Sequence, residues 1–394
     1  MGNSRREFLK QLASTTALAT ALGPASSNFL MGESSAAIHS DAANSAQTNG
    51  NAANGKKIGY CIVGLGRISM GQFMPGVRIS QQSKIVALVS GHRPKAERVA
   101  DQYGVSHNAI YNYENYDTIR NNPEIDAVYI ALPNGMHAEY TIRAAKAGKH
   151  VLCEKPMANT VEECEQMIAA CKQANRKLMI AYRCRYEPTN LKAIELLRQG
   201  YAGKLLAIDS SNGFNIRPGE WRLNKKLAGG GPLFDVGIYS IQAARYLTGE
   251  EPAEVQAYSS VTDHDGRFTE VEENVVWNFR FPSGVLASCA TTYGSNFIGG
   301  YARAVGSKGM LELNPAFGYQ GQHLTGKTEG SQPLDINYHI PAPKQFAVEA
   351  DYFAGCITEN KEPKTDGEEG LRDQRLMAAI YQSCADGRSI KLVG

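Results

Sequence analysis

From Lys57 onward, short apolar runs alternate with amphipathic stretches, the pattern of strands followed by helices. Residues 58–63, 84–90, 127–132 and 150–153 are near-continuous apolar runs, which predict strands buried on both faces. Between the last two, residues 137–147 have helical periodicity, and Gly148 predicts the stop. This order predicts a doubly wound, Rossmann-type parallel sheet over residues 57–182, an α/β arrangement. After Lys204 the alternation ends and the chain becomes strand-rich. Residues 274–281 and 284–293 around Pro282-Ser283 predict one hairpin, and residues 302–305 and 310–313 around Gly306 and Gly309 a second. Helices are expected at 345–359 and 370–386. Residues 183–394 thus predict an α+β domain with an open, mostly antiparallel sheet, whose last helices can return to the first domain. Residues 319–344 are polar, broken by Gly and Pro, and predict no element.

The first strand runs straight into Gly64-Leu65-Gly66-Arg67-Ile68-Ser69. Glycine at the first two positions permits a tight turn and a close approach of main-chain N–H groups to a pyrophosphate at a helix N-terminus. At the third position Ser69 departs from the usual glycine but is still small. The next strand ends without the acidic residue that would take a ribose 2′-hydroxyl. In its place stands Ser90-Gly91-His92-Arg93-Pro94-Lys95, a hydroxyl and two cations suited to a 2′-phosphate, so NADP is expected over NAD. A charged helix start is the other reading of those residues. Two further strand ends fall at the carboxyl edge, where ligands of such sheets bind. Leu132-Pro133-Asn134-Gly135-Met136-His137 is expected along the ribose and nicotinamide, and Glu154-Lys155-Pro156 brings a lysine to the same edge.

Downstream, three glycines and Pro232 lead into a helix that Gly249 ends. Asp235 and Tyr239 are four apart and are expected on one helix face. A carboxylate beside a phenol can orient a substrate hydroxyl and shuttle its proton, given a cation that draws the phenol down from about 10. Lys155 is the expected cation. An acid favouring the helix dipole and a half-buried core tyrosine are the alternative reading of the pair.

Composition narrows the function classes. A net charge of +2 over 394 residues gives no sign of nucleic-acid binding, and the length suggests two domains. Eight scattered cysteines without a C-x-x-C pair predict buried small hydrophobes; neither a disulfide framework nor a metal site is expected. Ser4-Arg5-Arg6-Glu7-Phe8-Leu9-Lys10, followed by a mildly apolar run, has the form of a twin-arginine export signal over residues 1–37. Ala25 and Ala36-Ala37 both offer small residues for cleavage. That route exports folded proteins, which implies a cofactor loaded beforehand, a periplasmic location and no stable membrane anchor. Residues 38–56 are rich in Ala, Ser and Asn and form a polar arm that cannot build a core of its own.

At Glu154-Lys155-Pro156 and Asp235-Val-Gly-Ile-Tyr239 the sequence resembles the glucose-fructose oxidoreductase, inositol dehydrogenase and MocA family. The resemblance runs from Lys57 to Val393 and is nearest the glucose-fructose and aldose-aldose oxidoreductase branch. Trp221-Arg222-Leu-Asn-Lys-Lys-Leu-Ala-Gly-Gly-Gly, Arg245-Tyr-Leu-Thr-Gly-Glu-Glu-Pro252 and Gly367-Glu-Glu-Gly370 carry that narrower match. The resemblance implies that Lys155, Asp235 and Tyr239 are catalytic and hold the substrate, with Tyr239 where the inositol dehydrogenase branch has histidine. It also implies cofactor contacts from Tyr113, Arg183, Trp221 and Arg222, a substrate-side Tyr319, and a dimer or tetramer built by the open sheet. The activity it implies is a periplasmic sugar oxidoreductase that keeps its NADP, oxidises an aldose at C1 to the lactone and passes the hydride to a second sugar. An NADP-dependent sugar dehydrogenase with exchangeable cofactor, and a non-catalytic sugar-binding protein on the same scaffold, are the alternatives.

Overall fold

β1 (Ile58–Val63) is buried along its whole length and leads through a π-helical turn, Ser69–Phe73, into α1 (Met74–Ile79). Then come β2 (Ser83–Val89), α2 (Arg93–Tyr103), β3 (Ile110–Tyr111), β4 (Ala127–Ile130), α3 (His137–Lys146), β5 (His150–Glu154), α4 (Val161–Gln173) and β6 (Leu178–Ala181). The six strands pair in parallel in the order β3-β2-β1-β4-β5-β6. The order reverses between β1 and β4, the switch point at which doubly wound sheets open a crevice for ligands. Local chemistry sets the boundaries: Thr160 and Glu163 close a capping box on α4, and Gly148 takes φ 77° after α3. The computed structural model describes residues 56–392. The twin-arginine leader and all of the polar arm before Lys56 lie outside the described residues.

After α5 (Pro188–Arg198) and β7 (Leu205–Gly213) come α6 (Lys225–Ala228), a second π-helical turn, Leu233–Gly237, and α7 (Ile238–Thr248), which Gly249 ends at φ 75°. β8 (Glu254–Ser260), β9 (Asn274–Arg280), β10 (Leu286–Thr292), β11 (Gly300–Gly306), β12 (Gly309–Leu313), β13 (Leu324–Thr328) and β14 (Leu334–Ile336) follow. With the C-terminal β15 (Ile390–Lys391) they form a nine-stranded sheet in the order β14-β13-β12-β11-β7-β10-β9-β8-β15. Both expected hairpins are present, β9–β10 and β11–β12. The sheet is mixed, because β7 runs parallel to β10 while its other neighbour, β11, is antiparallel. β13 and β14 occupy the stretch from which no element was expected. Alternation sorts the faces: Val275, Trp277 and Phe279 of β9 point into the core, while Val276 and, on β10, Leu286 are exposed on the other side. α7 packs on the core face against β7, β10 and β11.

Two long helices then return to the first lobe. α8 (Ala342–Thr358) packs on α1, where Tyr60 donates to the Ala350 carbonyl at 3.3 Å and Asp351 accepts the Gln81 and Gln82 amides at 3.0 and 2.9 Å. α9 (Gly367–Asp386) lies against α4 and β6 of the first lobe and against β8 and α7 of the second. All eight cysteines are free, six of them buried, and no potential metal cluster occurs among the described residues. Among those residues no helix is long and apolar enough to cross a membrane.

Candidate active site

The dinucleotide loop is built as its glycines require. Gly64 has φ 94°, and a Cβ there would lie 2.6 Å from the Ala131 carbonyl oxygen; at Gly66 an added Cβ would meet nothing within 4 Å. The outer side of the loop is therefore open to a closely approaching group. Ser69 is fully buried and donates to the Gly64 carbonyl at 2.6 Å, closing the turn where glycine is usual. Leu65 is buried beneath the loop, Ile68 packs on the core, and the Leu65 carbonyl accepts from Lys95 Nζ at 2.5 Å. Across β2, the Ser90 hydroxyl accepts from the His92 amide, and the Tyr113 ring faces Gly91 at 3.2 Å from where a Cβ would stand. These groups fit a dinucleotide, with main-chain N–H groups and the helix start at the pyrophosphate.

Two expected cofactor residues engage the protein itself. The Arg93 guanidinium turns to the Ile110 and His107 carbonyls at 3.2 and 3.1 Å and to Glu97, so it braces β3 and its own helix. His137 is fully buried, and its Nδ1 and Nε2 lie 2.9 Å from the Pro156 and Leu132 carbonyls, leaving no ring nitrogen for a ligand. It ties the end of β4 to the turn after β5. Pro133 precedes the short turn Asn134–Met136, and Asn134 donates to the Ala228 carbonyl of the second lobe at 2.8 Å.

At the end of β5, burial raises the Glu154 carboxyl, which accepts from Tyr129 at 2.6 Å. Lys155 reaches across to the π-helical turn, donating to the Asp235 main-chain carbonyl at 2.5 Å and to its carboxylate at 3.3 Å. That turn is held from below by Glu272, which accepts the Gly231 amide at 3.1 Å and the Tyr381 hydroxyl at 2.9 Å. Asp235 also accepts from Tyr293 at 2.9 Å and lies 2.8 Å from Arg222 Nε, an ion pair and not an aligned hydrogen bond. Burial alone would raise this carboxyl, but Arg222, Lys155 and Tyr293 prevail and hold it down to about 2. Asp235 is therefore an anion at any working pH, fit to accept hydrogen bonds from substrate hydroxyls.

Tyr239 lies one turn on. Lys155 Nζ is 5.0 Å from its ring centroid, over the face, while the hydroxyl accepts from Arg183 Nε at 3.2 Å. Lys155 is thus not the partner of the phenol; Arg183 is. The expected lowering is also overturned, because burial raises Tyr239 above its usual value and Arg183 offsets only part of that. Arg183 is fixed by the Gly318 and Phe317 carbonyls and by Gln345, and the Tyr319 ring covers it at 4.6 Å. Burial, then the Tyr239 phenol, pushes Tyr319 up to about 12. On the opposite rim Arg67 of the loop pairs with Glu220 at 2.6 Å, and Arg222, stacked 4.6 Å over Trp221, lies 3.9 Å from the same carboxylate. Tyr293, Glu220, Glu272 and Gln345 were not found in the sequence, since each contacts its partner across the fold without a motif.

An open dinucleotide loop facing a lysine, a carboxylate and a tyrosine defines an NAD(P)-dependent oxidoreductase. Residues 58–182 match the oxidoreductase family with an NAD-binding Rossmann fold, and residues 190–312 match the GFO/IDH/MocA C-terminal domain. The chain belongs to the Gfo/Idh/MocA oxidoreductase family. It is similar to the D-xylose 1-dehydrogenase [NADP(+)] of Haloarcula marismortui, 31% identical over 340 residues that span 84% of this chain and 92% of the relative. An uncharacterized oxidoreductase, ORF334, of Rhizobium meliloti is 35% identical over 334 residues, 83% of this chain and 97% of the relative. Among solved structures, aldose-aldose oxidoreductase from Caulobacter crescentus, complexed with glycerol, superposes with a TM-score of 0.82 at 45% identity, covering 86% of this chain and 100% of that one.

Proposed function

We propose that this protein is an NADP-dependent sugar oxidoreductase that retains its cofactor and cycles between two sugars. The observation that carries the reading is the convergence of Lys155, Asp235, Arg222 and Tyr239 beside the open dinucleotide loop. Relatives named for aldose and xylose oxidation support sugars as substrates, and relatives named for NADP support that cofactor. Bound NADP would supply the two-electron chemistry of hydride transfer between the two sugars. The chain's own groups handle the rest. Asp235 anchors sugar hydroxyls as a fixed anion, Lys155 and Arg222 hold it in place, and Tyr239 exchanges the proton of the reacting oxygen. The buried, protonated phenol is ready to donate to a carbonyl oxygen, and Arg183, donating to the phenol oxygen, stabilises the phenolate of the reverse step. Oxidation of an aldose at C1 releases one hydride and one proton, and reduction of the second sugar takes up both, so the cycle closes.

The twin-arginine pattern supports export and a periplasmic location, where a protein without a nicotinamide pool must regenerate its own cofactor. The exposed apolar face of the nine-stranded sheet supports association into a dimer or tetramer. The decisive experiment is an absorbance spectrum of the extensively dialysed protein before and after glucose, with no cofactor added. A reduced-nicotinamide band that rises with glucose and falls with fructose or a second aldose is the expected result. A protein that responds only after NADP is supplied has an exchangeable cofactor, and retention is wrong.

A further inference from the structure

Two motifs outside the site, the one that begins at Arg245 and the one at Gly367–Gly370, lie far apart in sequence and meet in one buried cluster. Arg245 projects from α7 with its side chain 2% exposed, and five hydrogen bonds match its five N–H donors. Nε and Nη2 donate to Glu251 at 2.7 and 2.6 Å, Nη1 and Nη2 to Glu369 at 3.0 and 3.1 Å, and Nη1 also to Asp373 at 2.7 Å. One turn earlier on α7, Gln242 donates to the other oxygen of Asp373 at 2.8 Å. Glu369 and Asp373 both belong to α9. That helix is tied to the first lobe in turn, where Gln374 donates to the Asn159 carbonyl at 2.9 Å, four residues after Lys155.

Three carboxylates around one guanidinium are a costly way to glue two helices, since apolar side chains of similar size would hold them at least as well. What such a cluster supplies is direction: fixed donors and acceptors permit one register and penalise a slide. The register of α7 matters because it carries Tyr239. A void of about 20 Å³ adjoins that ring, lined by Gln242, Tyr246, Cys184 and Phe317 among others. We infer that Arg245, Gln242 and Asp373 are positioning residues for the reaction, setting α7 against α9 and so placing Tyr239 and Asp235 relative to Lys155. This rests on the site reading proposed above.

The test uses the full-length protein with its cofactor and steady-state kinetics on an aldose. Asp373→Ala is expected to lower kcat by about tenfold, with KM within about threefold and bound NADP per chain unchanged. Asp373→Asn keeps an acceptor for Arg245, and with the Gln242 amide turned over it keeps that bond as well; kcat is expected to return to within about threefold of the parent. A folded Asp373→Ala protein with parental kcat overturns the inference, and so does one that loses NADP and activity in equal measure, the mark of a merely structural role. Should Asp373→Ala not accumulate as folded protein, Gln242→Leu, which leaves every ion pair standing, decides: an unchanged kcat overturns the inference and a lowered kcat at constant KM sustains it. Tyr239→Phe is measured alongside. If it turns over like the parent, the site reading falls and takes this inference with it; if it is inactive while Asp373→Ala is normal, only the positioning role falls.

Discussion

Asp235 and Tyr239 show how neighbours divide the work between two buried acids. Both lose solvent, yet Asp235 has two cations and a phenol directed at its carboxylate and stays ionised, while Tyr239 has one arginine at its oxygen and stays protonated. A third buried acid, Glu349 on α8, has neither carboxylate oxygen hydrogen-bonded, and burial followed by the nearby Glu154 drives it well above the ordinary carboxylate value. The folded state therefore holds one proton more than the unfolded chain, between the unfolded value of 4.5 and the raised folded one. The contribution of Glu349 to stability falls as pH rises through that window. Glu349→Gln is expected to remove this slope, so that its thermal melts at about pH 5 and about pH 8 differ less than those of the parent, with the larger gain at the higher pH. Parallel melts for both proteins would show that Glu349 is not the group responsible. At this scale the sequence was readable only where a motif concentrates the chemistry. Lys155, Asp235 and Tyr239 could be named, but Tyr293, which meets Asp235 from 58 positions away, could not.

Four of the six parallel strands, β1, β2, β4 and β5, were legible from their apolar runs, and β1 begins and ends where its run does, whereas β6 and the two-residue β3 were not named. The open sheet was harder. β8 reads Glu-Val-Gln-Ala-Tyr-Ser-Ser with only Val255 and Ala257 buried, and β13 contains Gly326 and Lys327, so neither shows the apolar density of a core strand. The π-helical turn Leu233–Gly237 had no sequence signal either, since one added residue per turn leaves composition unchanged. α2 gives the sharpest element-level prediction, because its first turn holds Lys95 on the dinucleotide loop. Lys95→Ala is expected to weaken NADP binding more than NAD binding, by about tenfold, measured by cofactor titration of the stripped protein. Equal losses for both cofactors would assign Lys95 to loop support alone.

At the scale of the molecule, the open sheet exposes several apolar side chains among the described residues. Leu206, Tyr258, Val276 and Leu286 are exposed on the same open sheet, spread over β7, β8, β9 and β10. If the proposed association uses this face, Val276→Lys shifts the protein toward monomer in sedimentation equilibrium without lowering its thermal midpoint by more than a few degrees; an unchanged mass would remove this face from the proposal. The two C-terminal helices carry a different consequence. α8 supplies Phe346, Ala350 and Phe353 to the core beside β1, and α9 closes on α4 and β6, so the cofactor lobe is completed by residues far along the chain, Ala350 lying 290 positions after Tyr60. During synthesis, the dinucleotide loop emerges well before the walls beneath it. A nascent chain therefore cannot seal its dinucleotide crevice until both helices have followed, and until then the first lobe waits with an apolar flank open.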